Sequence, residues 1–151
     1  MQAQAAAARA IGDKSNEGAA LGNLGNAYAD LGEVGKAIGY HEQDLAIRRE
    51  IGDRRGEGNA LCNLGNAYAD LGEVGKAIGY YEQAQVIDRE IGDQQGEAND
   101  SWNLGLHYEA QGEWQRAADL MQVRVDYLRE LGHPDADKAA ARVAQVRAKL
   151  G

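Results

Sequence analysis

His41 and Asp44 stand three residues apart, close enough on one helix turn to share a proton or to offer two metal ligands. The other histidines, His107 and His133, add no ligand at helical spacing, and neither His-x-x-x-His nor Cys-x-x-Cys occurs. A local His–Asp hydrogen bond is therefore the expected use of the pair. Cys62, the single cysteine, has no His or Lys at helical spacing to favour its thiolate, and reads as a structural thiol. The run Gly32-Glu33-Val34-Gly35-Lys36-Ala37 has the look of a phosphate loop. It lacks that loop's glycine spacing, has Ala37 where Ser or Thr would meet the metal, and follows no strand. No catalytic constellation, metal site or cofactor site emerges.

What the chain does offer is a row of amides on a repeating frame. Residues 21–40 and 61–80 differ only at Gly22 and Cys62, a weaker copy fills 101–120, and Ile-Gly-Asp recurs at 11–13, 51–53 and 91–93. Such a period marks stacked units, each unable to bury its apolar face without a neighbour. Leu21, Leu24, Gly25 and Tyr28 follow i, i+3, i+4, i+7 spacing, one stripe of a helix; Val34, Ala37, Ile38, His41, Leu45 and Ile47 nearly repeat it. Gly32 supplies the break between them, and Gly52, Gly92 and Gly132 end the second helices. The pattern predicts an all-α fold with helices near 15–31, 34–52, 55–71, 74–92, 95–111, 114–131 and 134–149, and a short one before residue 12. Pro134 is expected at the first helical position of the last. Tyr28, Tyr68, Tyr108 and Trp114 read as core.

Leu24-Gly25, Leu64-Gly65 and Leu104-Gly105, with Tyr28, Tyr68 and Tyr108 and then Ala37, Ala77 and Ala117, resemble the tetratricopeptide repeat pattern W-x₂-L-G-x₂-Y…A-x₃-F…P. The resemblance implies a single solenoid of antiparallel helix pairs in a right-handed superhelix. It comprises a partial repeat helix at 1–14, repeats at 15–54, 55–94 and 95–133, and a polar-faced capping helix at 134–151. Arg49, Arg89 and Arg129 fill the proline slot, which lets the second helix run on and gives a period of 40 instead of roughly 34. Arrays of bacterial signalling NTPases, kinesin light chain and spindle adaptor proteins are similar in this. The aromatic slot holds His41, Tyr81 and Met121, and a small slot holds Asp44, Ala84 and Arg124. Asp44 must therefore find a partner (His41, a Tyr or an Arg) or turn to solvent, and Asp44→Ala is expected to leave stability unchanged or raise it.

By the same resemblance, Asn23, Asn63 and Asn103 face a concave groove with Asn26 and Asn66, extended by Asn59 and Asn99. A primary amide both donates and accepts, as a peptide main chain requires. Helices about 8–10 Å apart would meet an extended ligand rising about 3.3 Å per residue at about every third residue. The alternative is that the amides bond to neighbouring helices and fix the stacking. Asp30, Asp70 and Glu109 make an acidic rim, and Trp102, where Gly22 and Cys62 stand in the other repeats, is an inward hot-spot candidate. Gly22, Cys62 and Trp102 occupy a matching position of the family's carboxylate clamp, so an acidic C-terminal tail is a poor ligand.

A formal charge of −8 opposes a nucleic-acid partner, and Arg48, Arg49, Arg54 and Arg55 are interleaved with acids as a solvated, ion-paired face. No apolar run suggests a membrane span or signal peptide. One cysteine fits a reducing, cytoplasmic setting. The chain begins in mid-repeat and reads as a segment of a longer repeat protein. The leading expectation is a non-catalytic scaffold that binds a neutral or basic protein or peptide segment. The alternatives are a self-associating segment stacking through exposed repeat ends, which concentration-dependent light scattering would reveal, and a regulatory receptor for a small signal.

Overall fold

The computed structural model describes residues 2–151, and of Gln2 and Ala8 only the backbone. Seven helices follow in order: α1 (Gln2–Asp30), α2 (Val34–Ile51), α3 (Arg54–Asp70), α4 (Val74–Ile91), α5 (Gln94–Ala110), α6 (Trp114–Glu130) and α7 (Ala136–Ala148). No strand occurs among the described residues. The all-α reading holds, and from residue 34 to residue 130 the expected boundaries lie within a residue or two of these.

The turn after α2 shows how the repeat is cut. Gly52 takes the left-handed conformation at φ 72°, and the Asp53 carboxylate then accepts from the Gly56 N–H at 2.9 Å to start α3. Asp93 does the same for α5, accepting from Gly96 N–H at 3.0 Å. The break expected at Gly12 is absent, and the two expected helices are the single helix α1. At 51–53 the chain must turn because α2 and α3 pack on each other. The described side chains of residues 3–13 are exposed, so the strong helix formers of AQAAAARA carry the helix through Gly12. Asp13 also has Ala8 where Asp53 has Arg48.

The chain divides into two compact units, residues 1–80 and 81–151. In the first, α1 meets α2 through its small residues: a Cβ on Gly25 would stand 2.6 Å from the His41 ring, and one on Gly22 2.9 Å from Asp44 Oδ2. Beside them Ala37, Leu45, Ala60, Leu61, Leu64 and Ala67 form the core. Leu64 is fully buried, whereas Leu24 at the equivalent place on α1 is 43% exposed. α3 packs on the preceding α1–α2 pair. Tyr28 and Tyr68 are not core but half-buried, stacked on Tyr40 and Tyr80 at 5.4 Å, with Lys36 and Lys76 over their outer faces.

In the second unit, Gly105 lets α6 approach until Met121 and the Ala117 carbonyl lie against α5. Leu104, Met121, Val125 and Leu128 are buried there, and α7 closes the unit with Ala139, Val143 and Val146 while Asp137 and Arg147 stay exposed. Tyr108 is buried, as expected, and donates to Glu82 at 3.1 Å. Trp114 is half-buried rather than core, with Lys149 4.5 Å over its ring. Pro134 does not open α7. A turn in which the Asp135 N–H donates to His133 Nδ1 at 3.1 Å delays the helix to Ala136.

Candidate functional site

In the first unit three helices leave a hollow of about 380 Å³. Asn26 and Asp30 come from α1, Asn63, Asn66 and Asp70 from α3, and His41 from α2. These are positions one helix turn apart on each wall, so the 3.6-residue repeat aims an amide and a carboxylate into the same space. Asn26, Asn66, Asp30 and Asp70 are exposed and Asn63 half-buried. Asn23 does not line this hollow; it is exposed elsewhere on α1, as Asn59 is on the first turns of α3.

His41, expected only as a hydrogen-bond partner of Asp44, lines the hollow as well. It is 98% buried by a relative exposure of 2%, and its Nδ1 has no hydrogen-bond partner among the described residues. Burial lowers its pKa below the ordinary 6.5, and the nearby Asp44 only partly opposes this. The expected His41–Asp44 hydrogen bond is not made. Asp44, 6% exposed, instead accepts from Arg48 Nε at 2.9 Å, and the same guanidinium reaches Asp53 at 2.8 Å and Ser15 at 3.3 Å. An arginine wins because its planar fork can serve several acceptors at once, which an imidazole tied flat over Gly25 cannot. Burial opposes the charge on Arg48, but the two carboxylates outweigh it and raise its pKa. Arg48 is thus a buried strut, not part of a solvated face. Arg49 and Arg54 pair with Glu57, nearer the surface.

The second unit has its own hollow, of about 540 Å³, where α5, α6 and α7 meet. Trp102 and Leu106 of α5 and Leu128 of α6 give it an apolar floor; Arg124 stands over the Trp102 ring at 5.2 Å. Glu109, expected on an acidic rim, is half-buried and held by Arg142 of α7 through both carboxylate oxygens at 2.7 and 2.6 Å. The last helix supplies a guanidinium that the repeat pattern could not foretell. Asn103 is half-buried and Asn99 exposed on α5, and neither lines this hollow. The sequence signal for the site was the joint oddity of Trp102 and Arg124, at positions held by Gly22 and Asp44 in the first repeat.

No group of three or more His, Cys, Asp or Glu side chains is placed to hold a metal among the described residues, and no described helix is long and apolar enough to cross a membrane.

The tetratricopeptide repeat profile matches residues 16–90 and again 56–130. No curated protein matches the chain in sequence. Among solved structures, the apo form of RapI is similar with a TM-score of 0.84 and 16% identity, covering 91% of this chain and 39% of that one. Aspartyl phosphate phosphatase F from Bacillus subtilis gives 0.81 and 16%, over 91% and 37%. A putative kinesin light chain from Podosopora anserina with nearly identical TPR-like repeats gives 0.75 and 21%, over 91% and 68%. The chain thus spans about two fifths of the length of the first two, and the likeness is one of fold.

Proposed function

The chain belongs to the tetratricopeptide repeat family, and from that membership we propose that it is a non-catalytic module binding a protein or peptide segment. The observation that carries the reading is the convergence of Asn26, Asn63 and Asn66 on one open hollow edged by Asp30 and Asp70. Amides there offer a main chain both donors and acceptors, and the carboxylates favour a neutral or basic segment. His41 also lines the hollow, and its buried Nδ1 has no hydrogen-bond partner among the described residues. Asn23 and Asn59 would extend the contact outside the hollow within the first unit, and Asn99 and Asn103 would offer amides of the same kind in the second.

The test begins with peptides selected from a random displayed library against the wild-type chain. Asn26→Ala/Asn66→Ala should weaken them by about tenfold or more, the effect of roughly 1–1.5 kcal/mol in lost hydrogen bonds. The melting temperature should barely move, because both side chains are exposed. Added salt should weaken binding only modestly. Equal affinity for the double variant, or a loss that follows its unfolding, would make the amides stacking residues and end the proposal. Self-association is the second reading, favoured by the uncovered face of α1 around Leu24, and light scattering across concentration decides it.

A further inference from the structure

The hollow of the second unit has the opposite electrostatic character to that of the first. We infer that it is a separate recognition pocket, which takes an apolar side chain with an acidic residue next to it in an internal segment of a protein partner. This rests on the reading of the chain as a protein-binding module but on none of the asparagines.

Its floor is Trp102, Leu106 and Leu128, with Leu106 38% exposed. A leucine-sized side chain entering there removes apolar surface on both partners from water, and a Trp floor is a common anchor for such contacts. Arg124, Lys138 and Arg142 stand around it, and Asp135 is the one acid in the lining. Asp135 lies outward, its side chain 66% exposed and 3.8 Å from His133 Nδ1. Arg142 is committed to Glu109 at 2.6 Å. No carboxylate among the described residues pairs with Arg124, whose guanidinium is held instead over the Trp102 ring at 5.2 Å, or with Lys138. A chain carrying a net −8 thus keeps two uncommitted cations beside one of its apolar hollows. A cation stacked on an indole still has its in-plane N–H groups to give, so a ligand carboxylate can meet Arg124 at the pocket edge while the neighbouring side chain rests on Trp102.

An internal acid, rather than a chain terminus, is the occupant because the two cations come from different helices across an open hollow, with no cage around a chain end. The end-blocked probes below carry that distinction.

The chain has two tryptophans, so Trp114→Phe leaves Trp102 as the sole indole reporter in the full-length protein. Acetylated and amidated hexapeptides containing Leu-Glu, Leu-Gln, Leu-Lys or Ala-Glu in an otherwise Ala/Ser sequence are titrated against its emission. Leu-Glu should give a saturable change. Leu-Gln should bind about three- to tenfold more weakly, Leu-Lys more weakly still, and Ala-Glu by about tenfold or more. In Arg124→Gln/Lys138→Gln, shown folded by circular dichroism, the difference between Leu-Glu and Leu-Gln should vanish. Equal binding of Leu-Glu and Leu-Gln, a preference for Leu-Lys, tighter binding of the same peptide with a free C-terminal carboxylate placed on Leu, or no saturable change with any probe would each overturn the assignment. Asn26→Ala/Asn66→Ala in the same background should leave these titrations unaltered, so failure here and failure of the amide site register separately.

Discussion

At the scale of single residues, Asp44 carries the clearest reversal. The sequence comparison with Ala84 suggested a carboxylate better removed. Its side chain is 9% exposed, however, and paired at 2.9 Å with an arginine that is itself only 12% exposed. Asp44→Ala should therefore lower stability by about 1–3 kcal/mol, since it strands a buried guanidinium with Asp53 as its remaining carboxylate; urea denaturation with an unchanged slope is the check. A gain in stability would mean that Arg48 swings to solvent without loss. The partner was legible in outline, because an arginine lay one helix turn away. His41 was not. A histidine at an aromatic slot says nothing of whether its nitrogen is satisfied; that depends on how flat the ring lies against Gly25 and on where the next helix leaves space.

Helices were the most legible level, because each second helix ends on glycine and each first helix carries its apolar stripe. The exception is instructive. Ile11-Gly12-Asp13 has the same letters as Ile51-Gly52-Asp53, yet only Gly52 has a positive φ, 72°. Local signals permit the turn; packing of the following helix imposes it. Gly12→Ala and Gly52→Ala should consequently act in opposite directions. The first replaces a helical, exposed glycine and should stabilise α1 by about 0.5–1 kcal/mol. The second forces a side chain into the left-handed region and should cost about 1–2 kcal/mol. Chemical denaturation, with the helical signal at 222 nm for Gly12→Ala, reads both. If the two changed stability in the same direction, α1 would not be continuous through residue 12.

For the molecule as a whole, acid is the informative stress. Burial lowers the pKa of both His41 and His107 below 6.5, so near and below that pH the unfolded chain binds more protons than the folded one. Their contribution to stability is complete above about pH 6.5 and is lost as pH falls through the folded values. The carboxylates facing His41 are Asp44 on its own helix and Asp30 and Asp70 around the hollow. Melting temperature should fall from pH 7.5 to 5, and His41→Met, the residue type at the same slot of the third repeat, should flatten the fall. A variant curve parallel to wild type would show that the imidazole charges without cost. Near-duplicate segments raise a different hazard, that a second helix settles on the wrong first helix while the chain collapses. The Asp44 carboxylate lies only 2.9 Å from where a Cβ at Gly22 would be, and the copy on α3 carries Cys62 at that place. The lone letter by which the twin segments differ therefore works as a key in a lock. α2 seats its acid on the helix that left room for it, and the same seating on the copy would meet Cys62.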